Sequence, residues 1–230
     1  MFSKILRKAF IYQKAYLLKS GMQRECYSQF GEDIAINRFF SNQEVGFFVD
    51  VGCFHPLFYS NTWKLYKKGW RRVNIDIDAV KIEVFDVRRP EDINISCAVS
   101  NQSGVIDYYQ DGDYSLTTTI DKSFSEARGG YEKKSVISRT LTSILDDTEY
   151  KSCCIDFLSI DAEGNDLNVL KSLDFDRYMP RLIAIETEES ILSNVQKSDV
   201  YLFLLDKDYM MIAWNGLSLI MSKELPHYTR

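Results

Sequence analysis

Several things are missing from this sequence, and each absence removes a class of protein. The five cysteines, Cys26, Cys53, Cys97, Cys153 and Cys154, are odd in number and form no Cys-x-x-Cys pair. A disulfide framework and a structural zinc site are therefore poor readings, and a reducing compartment suits the chain. No window of about 18 residues is free of charge, so no membrane span is expected. There is no internal repeat and no low-complexity tract. The net charge of −5 over 230 residues argues against a general nucleic-acid binder. Histidine is scarce, with only His55 and His227.

Acid is also absent from one place. Residues 1–24 contain Lys4, Arg7, Lys8, Lys14, Lys19 and Arg24 and no Asp or Glu, so the other residues together carry −11. Apolar Ile5, Ala9, Tyr12, Tyr16 and Leu17 recur at rough helical spacing. A basic helical extension is expected over 1–24, before a single domain over 25–230. It is read first as a solvated helix leaning on the domain. The alternative is a basic amphipathic helix on an anionic membrane surface. Lysines interrupt its apolar part and no small-residue cleavage site follows, so it is a poor signal peptide. The expected location is cytoplasmic, with peripheral membrane contact as the variant.

From residue 45 onward, short apolar runs alternate with helical patterns. Strands are expected at 46–52, 72–77, 93–99, 155–161 and 181–187. Between them, NTWKLYKKG, AVKIEVFDVRR, RTLTSILDD and NDLNVLKSLDF have apolar residues three or four apart. Strands spaced by helices predict an α/β fold with a mostly parallel sheet covered on both faces. Asn215-Gly216, flanked by YMMIAWNG and LSLIMSKE, signals a hairpin, so one strand near the C-terminus runs antiparallel. VIDYYQ reads as an extra strand, and the polar stretch from Asp111 to Ser135 as a long loop, part of it a mobile lid. Cys153-Cys154 and the tryptophans Trp63, Trp70 and Trp214 read as packing residues.

The functional signal lies at the strand ends. GFFVDVGCFHP carries Asp50 inside an otherwise apolar strand and breaks at Gly52. Asp76, Asp161 and Glu186 end three further strands, at the edge where open parallel sheets bind ligands. Asp76 follows the first glycine by the spacing at which an acid accepts ribose hydroxyls, although it could instead cap the next helix. The first turn lacks the three-glycine fingerprint of a pyrophosphate site, and Phe54, His55 and Pro56 crowd it. A nucleoside without a diphosphate fits better, which favours S-adenosylmethionine over NAD.

YSQFGEDI, GFFVDVGCFHP, SNTWKLYKKGWRRVNIDID, INISCAVSNQSG, SRTLTSILDD, IDFLSIDAEGNDLNVLKSLDF and IAWNGLSLIM together resemble the FkbM family of S-adenosylmethionine-dependent methyltransferases. The resemblance covers most of residues 27–221. It implies the Rossmann-like class I methyltransferase fold, with seven strands and a reversed last strand. It also implies O-methyl transfer, to a sugar hydroxyl of a surface glycan or a related secondary metabolite. On this reading Gly52 lets the backbone approach the methionine part, whose ammonium Asp50 holds. Asp76 binds ribose, Ala98 and Val99 border adenine, and Ser28, Gln29 and Glu32 close over the cofactor. Asp161 and Glu163 sit beside the reacting methyl group. Either Asp161 is a direct base, with His55 as the alternative, or Asp161, Glu163 and Glu186 hold a divalent magnesium or manganese. The competing expectation is a non-catalytic domain that binds a glycan or partner.

Overall fold

The computed structural model describes residues 2–17, 24–120, 122–187 and 189–225. His227 and the expected helix residues 18–23 lie outside them. Helix α1 spans Phe2–Tyr12 and continues into a π-turn, Gln13–Leu17. The side chains of residues 4–16 are exposed throughout, so this part of the extension does not lean on the domain as expected.

The elements that follow are α2 (Glu32–Phe39), β1 (Phe47–Val51), α3 (Trp63–Lys67), β2 (Arg71–Asp76), α4 (Ala79–Arg88), β3 (Ile93–Ser96) and β4 (Ala98–Val99). Next come β5 (Gly104–Gln110), α5 (Lys122–Arg128), β6 (Glu132–Arg139), α6 (Leu141–Asp146), β7 (Phe157–Ile160), α7 (Asp166–Lys171) and α8 (Phe175–Tyr178). The chain continues through β8 (Leu182–Glu186), α9 (Leu192–Val195), α10 (Asp199–Asp206), β9 (Met210–Asn215) and β10 (Ser218–Ser222). Seven strands form one sheet in the order β3-β2-β1-β7-β8-β10-β9. The first five are parallel, and β10 runs antiparallel to both of its neighbours, as the Asn215-Gly216 turn predicts.

Every residue of β1 and β7 is buried, because helices cover both faces of the sheet. The pleat divides their side chains. Val49, Val51, Ile75, Leu158, Ile160 and Ile185 face Leu141, Ile144, Val169, Leu170 and Leu204. Phe48, Phe157, Leu182 and Ala184 face Ile36, Phe40, Leu65 and Trp70 on α2, α3 and the turn into β2.

Two expectations change around this frame. The strand expected at 93–99 breaks at Cys97: β3 stays in the main sheet, and β4 leaves it to pair with β6 in a second sheet, β4-β6-β5. The segment read as a long loop is largely structured. It contains α5 and β6, and β6 pairs with β5 from Gly104↔Ser138 to Gln110↔Glu132. Only the partner strand explains β6, whose polar residues lack the apolar alternation of a strand half-buried on its own. The connection between β5 and α5 is tied down as well. Tyr114 N donates to Asp78 Oδ2 at 2.8 Å, and a backbone bridge joins Tyr109 to Thr119.

Candidate active site

A cleft of about 310 Å³ opens beyond the carboxyl ends of the parallel strands. Gln29, Asp50, Gly52, His55, Asp76, Ala98, Val99, Asp161, Glu163 and Glu186 all line it. The fold thus brings together all of these candidate site residues. Glu32 lines it too, whereas Ser28 is taken up elsewhere, donating to Asp33 Oδ1 at 3.0 Å.

Strand register explains the convergence. Asp50 pairs with Asn74 on β2 and with Ser159 on β7, while Ser159 pairs with Ala184 on β8. Side chains two residues apart share a face. Asp76, Asp161 and Glu186 therefore leave the sheet on the same side as Asp50, one pleat further on. Ile160 is opposite Ile185, so Asp161 and Glu186 are the next neighbours in the ladder. Their carboxyl groups share a hydrogen bond, and Asp161 is held well above the usual carboxylate range, chiefly by burial and then by the Glu186 charge. Two carboxyl groups this close disfavour a second negative charge, which raises the affinity of the pair for a proton.

The expected metal triad does not form. Among the described residues, no group of three or more His, Cys, Asp or Glu side chains is placed to hold a metal ion. Asp161 is committed to Glu186, and Glu163 sits in a left-handed turn (φ 48°) whose carbonyl accepts from Thr119 Oγ1 at 3.3 Å.

Asp50 is 7 % exposed and accepts from Thr62 Oγ1 at 2.8 Å. Burial raises its pKa, and the Arg89 charge and the Thr62 and Ser159 hydrogen bonds oppose the rise. Arg89 is fully buried beneath it, donating to Thr62 Oγ1 at 2.9 Å, to Ser60 Oγ at 3.0 Å and to the Pro56 carbonyl. Sequence reasoning missed Arg89, because nothing in VRRPED separates a buried arginine from a surface one.

Asp76 is also buried, 3.5 Å from Lys81 Nζ, and accepts from Asp78 N at 2.7 Å. The cap of α4 is Asp78, which accepts from Val80 N at 2.9 Å. The capping alternative for Asp76 is thereby removed, and its carboxylate faces the cleft. Burial pushes its pKa up to about 6 against the pull of Lys81.

Gly52 has a requirement within the fold itself. At φ 79°, a Cβ there would lie 1.7 Å from the Asp161 carbonyl oxygen. The glycine lets the ends of β1 and β7 close on each other. Asn165 makes no side-chain cap and donates to Val99 O at 2.8 Å, which ties this turn to the end of β4. Asp166, not singled out in the sequence, fastens the IDAEGND turn by accepting from Ala162 N at 2.9 Å and Gly164 N at 3.2 Å.

His55 accepts twice at Nδ1, from Leu57 N at 2.9 Å and Phe58 N at 3.0 Å. Burial, and then the Arg89 charge, lower its pKa, so the ring is neutral at pH 7 with its proton on Nε2. Neither nitrogen is then available as a base. His55→Asn, whose Oδ1 can take the same two bonds, is expected to keep both limbs of the pH–rate profile. A limb lost in that variant would return the base to His55.

Strand order, reversed β10 and an acid-lined cleft at the carboxyl edge define a class I methyltransferase. The sequence matches the family described as the methyltransferase FkbM domain over residues 44–211, and the chain belongs to that family. It is a methyltransferase, and S-adenosylmethionine is the general methyl donor of its fold. Among solved structures, the METTL16 MTase domain is similar at 9 % identity and a TM-score of 0.42, covering 84 % of this chain and 67 % of that one. A search of curated proteins found no match.

Proposed function

We propose that this cleft binds S-adenosylmethionine and that the chain methylates a sugar hydroxyl, in a surface glycan or related secondary metabolite. One observation carries the cofactor site: Glu32, Asp50, Asp76, Asp161, Glu163 and Glu186 line the cleft, and Lys81 is the only Lys or Arg among the lining residues described. Such a wall favours a ligand bearing cationic ammonium and sulfonium groups. Bound there, S-adenosylmethionine supplies an activated methyl group. Asp76 accepts from the ribose hydroxyls, and Ala98 and Val99 border the adenine. Asp50, Gln29 and Gly52 form the methionine end. The Asp161–Glu186 pair accepts the proton that the acceptor hydroxyl loses as its oxygen takes the methyl group.

The acceptor assignment rests on a second hollow of about 660 Å³, which shares Phe54, Leu116 and Thr117 with the cleft. Phe54 and Tyr114 stand 5.2 Å apart between ring centroids, and Tyr131 and Asp111 complete the walls. The buried Tyr114 hydroxyl has no hydrogen-bond partner among the described residues. Aromatic faces beside hydroxyl and carboxylate groups suit a sugar, which offers C–H faces and hydroxyls together.

Calorimetric titration with S-adenosylmethionine and S-adenosylhomocysteine tests the cofactor site. Asp76→Ala is expected to weaken both by about 10- to 100-fold, the loss of charge-assisted hydrogen bonds. Tight NAD binding without a response to S-adenosylhomocysteine would sink the assignment. The Asp76 pKa adds a pH signature. Its folded value, about 6, exceeds the ordinary 3.8, so the folded chain holds this proton to higher pH than the unfolded one. The residue's contribution to stability therefore falls as pH rises between those values. Ligand affinity moves the other way, rising through the same window as the ionised acceptor forms, and Asp76→Asn flattens that rise.

A further inference from the structure

Helix α1 and its π-turn form a two-sided surface that the methyltransferase reading leaves unused. At about 100° per residue, Ile5, Leu6, Ala9, Phe10, Tyr12 and Tyr16 share one arc, while Lys4, Arg7, Lys8 and Lys14 occupy the opposite arc and its border, with exposed Ile11 as the one large apolar side chain among them. Tyr12 and Tyr16 stack at 5.7 Å, and Lys14 Nζ lies 5.4 Å from the Phe10 ring, as that arrangement requires. Ile5, Leu6, Phe10, Tyr12 and Tyr16 are 57–65 % exposed, an apolar stripe far too continuous for scattered surface residues.

Three occupants compete for this stripe. Nucleic acid would meet the basic arc and leave the apolar arc wet. A second copy of the helix would cover the apolar arc but leave both basic arcs, four charges each, without an anionic partner. An anionic lipid surface satisfies both arcs at once, since acyl chains take the apolar side and phosphates take the lysines and arginine. The absence of any acid in residues 1–24 completes the charge complementarity.

We propose that residues 2–17 are a peripheral anchor that lies in the plane of an anionic membrane. Ile5, Leu6, Phe10, Tyr12 and Tyr16 enter the acyl boundary, and Lys4, Arg7, Lys8 and Lys14 stay at the headgroups. The anchor holds the methyltransferase cleft at a lipid surface. It stands independently of the cofactor and acceptor assignments.

The test is flotation of the full chain with vesicles of phosphatidylcholine containing about one-third phosphatidylglycerol, against phosphatidylcholine alone. Most of the protein is expected to float with the anionic vesicles and little with the neutral ones. The double variant Leu6→Asp, Phe10→Asp is expected to lose at least about 100-fold in partitioning. Lys4→Gln and Lys8→Gln should each lose about fivefold. Because these side chains are exposed, every variant should keep wild-type S-adenosylhomocysteine binding, which separates a failed anchor from a failed cofactor site. Three results overturn the proposal: no flotation with anionic vesicles; equal flotation with both compositions; or a dimer in sedimentation velocity that Phe10→Asp abolishes. Binding to an RNA or DNA duplex with no vesicle binding overturns it equally.

Discussion

Alanine at position 52 is expected to abolish S-adenosylhomocysteine binding and to lower the urea midpoint of unfolding sharply. Two costs combine. A left-handed backbone costs a non-glycine residue about 1–2 kcal/mol, and Gly52 has φ 79°. The added Cβ would also stand 1.7 Å from the Asp161 carbonyl oxygen, a backbone atom with no rotamer to escape into. Overpacking of this kind typically costs a further 1–3 kcal/mol, about that again. Relief requires the ends of β1 and β7 to separate, which breaks the Asp161 N to Val51 O bond of 2.9 Å and moves Asp161 away from the cleft. Function should therefore fail before the fold does. An alanine variant that titrates normally with S-adenosylhomocysteine would show that this approach is not needed for the site.

Asp161→Asn is expected to lower kcat by at least about 100-fold, the usual worth of a positioned proton acceptor, while leaving S-adenosylmethionine affinity within a few-fold. The amide keeps the shape of the carboxyl group and loses its basicity, so the defect belongs in kcat. Glu186→Gln separates this role from a structural one. Burial raises the Asp161 pKa most, and the Glu186 charge comes next. Removing that charge should lower the pKa and shift the acidic limb of the pH–rate profile to lower pH, with partial activity retained. Full activity of Asp161→Asn on its acceptor would end the proton-acceptor assignment. Abolition of wild-type turnover by EDTA, restored by magnesium or manganese, would instead place a cation between these carboxylates.

The parts of the site that could be read along the chain are those set by local pattern. Four short, mainly apolar runs, each with an acid at or near its end, placed Asp50, Asp76, Asp161 and Glu186 at one edge. The reason is that a parallel sheet aligns all its carboxyl ends. The crowded turn Gly52-Cys53-Phe54-His55-Pro56 likewise argued against a pyrophosphate cradle. What such reading missed depends on partners far away in sequence. Asp76 and Asp78 are both plausible caps for α4, and only the bond from Val80 N chooses between them. His55 resembles a base until its Nδ1 is seen to accept from two backbone amides. Asp161, Glu163 and Glu186 resemble a metal triad until the register pairs the first with the third and turns the second into a tight loop.

The sequence by itself determined the alternation of strands and helices, the hairpin at Asn215-Gly216, the acids at or near the ends of four strands and the acid-free N-terminal stretch. All of these follow from side-chain period and chain chemistry, which act over a few residues. The tertiary structure alone decided that Cys97 splits one strand between two sheets and that polar β6 pairs with β5. It decided that Arg89 is buried beneath Asp50, that Gly52 answers to the Asp161 carbonyl and that the face of α1 is left uncovered. Each of these depends on which distant segment arrives alongside, because a backbone contact or a buried charge has no signature until its partner is in place.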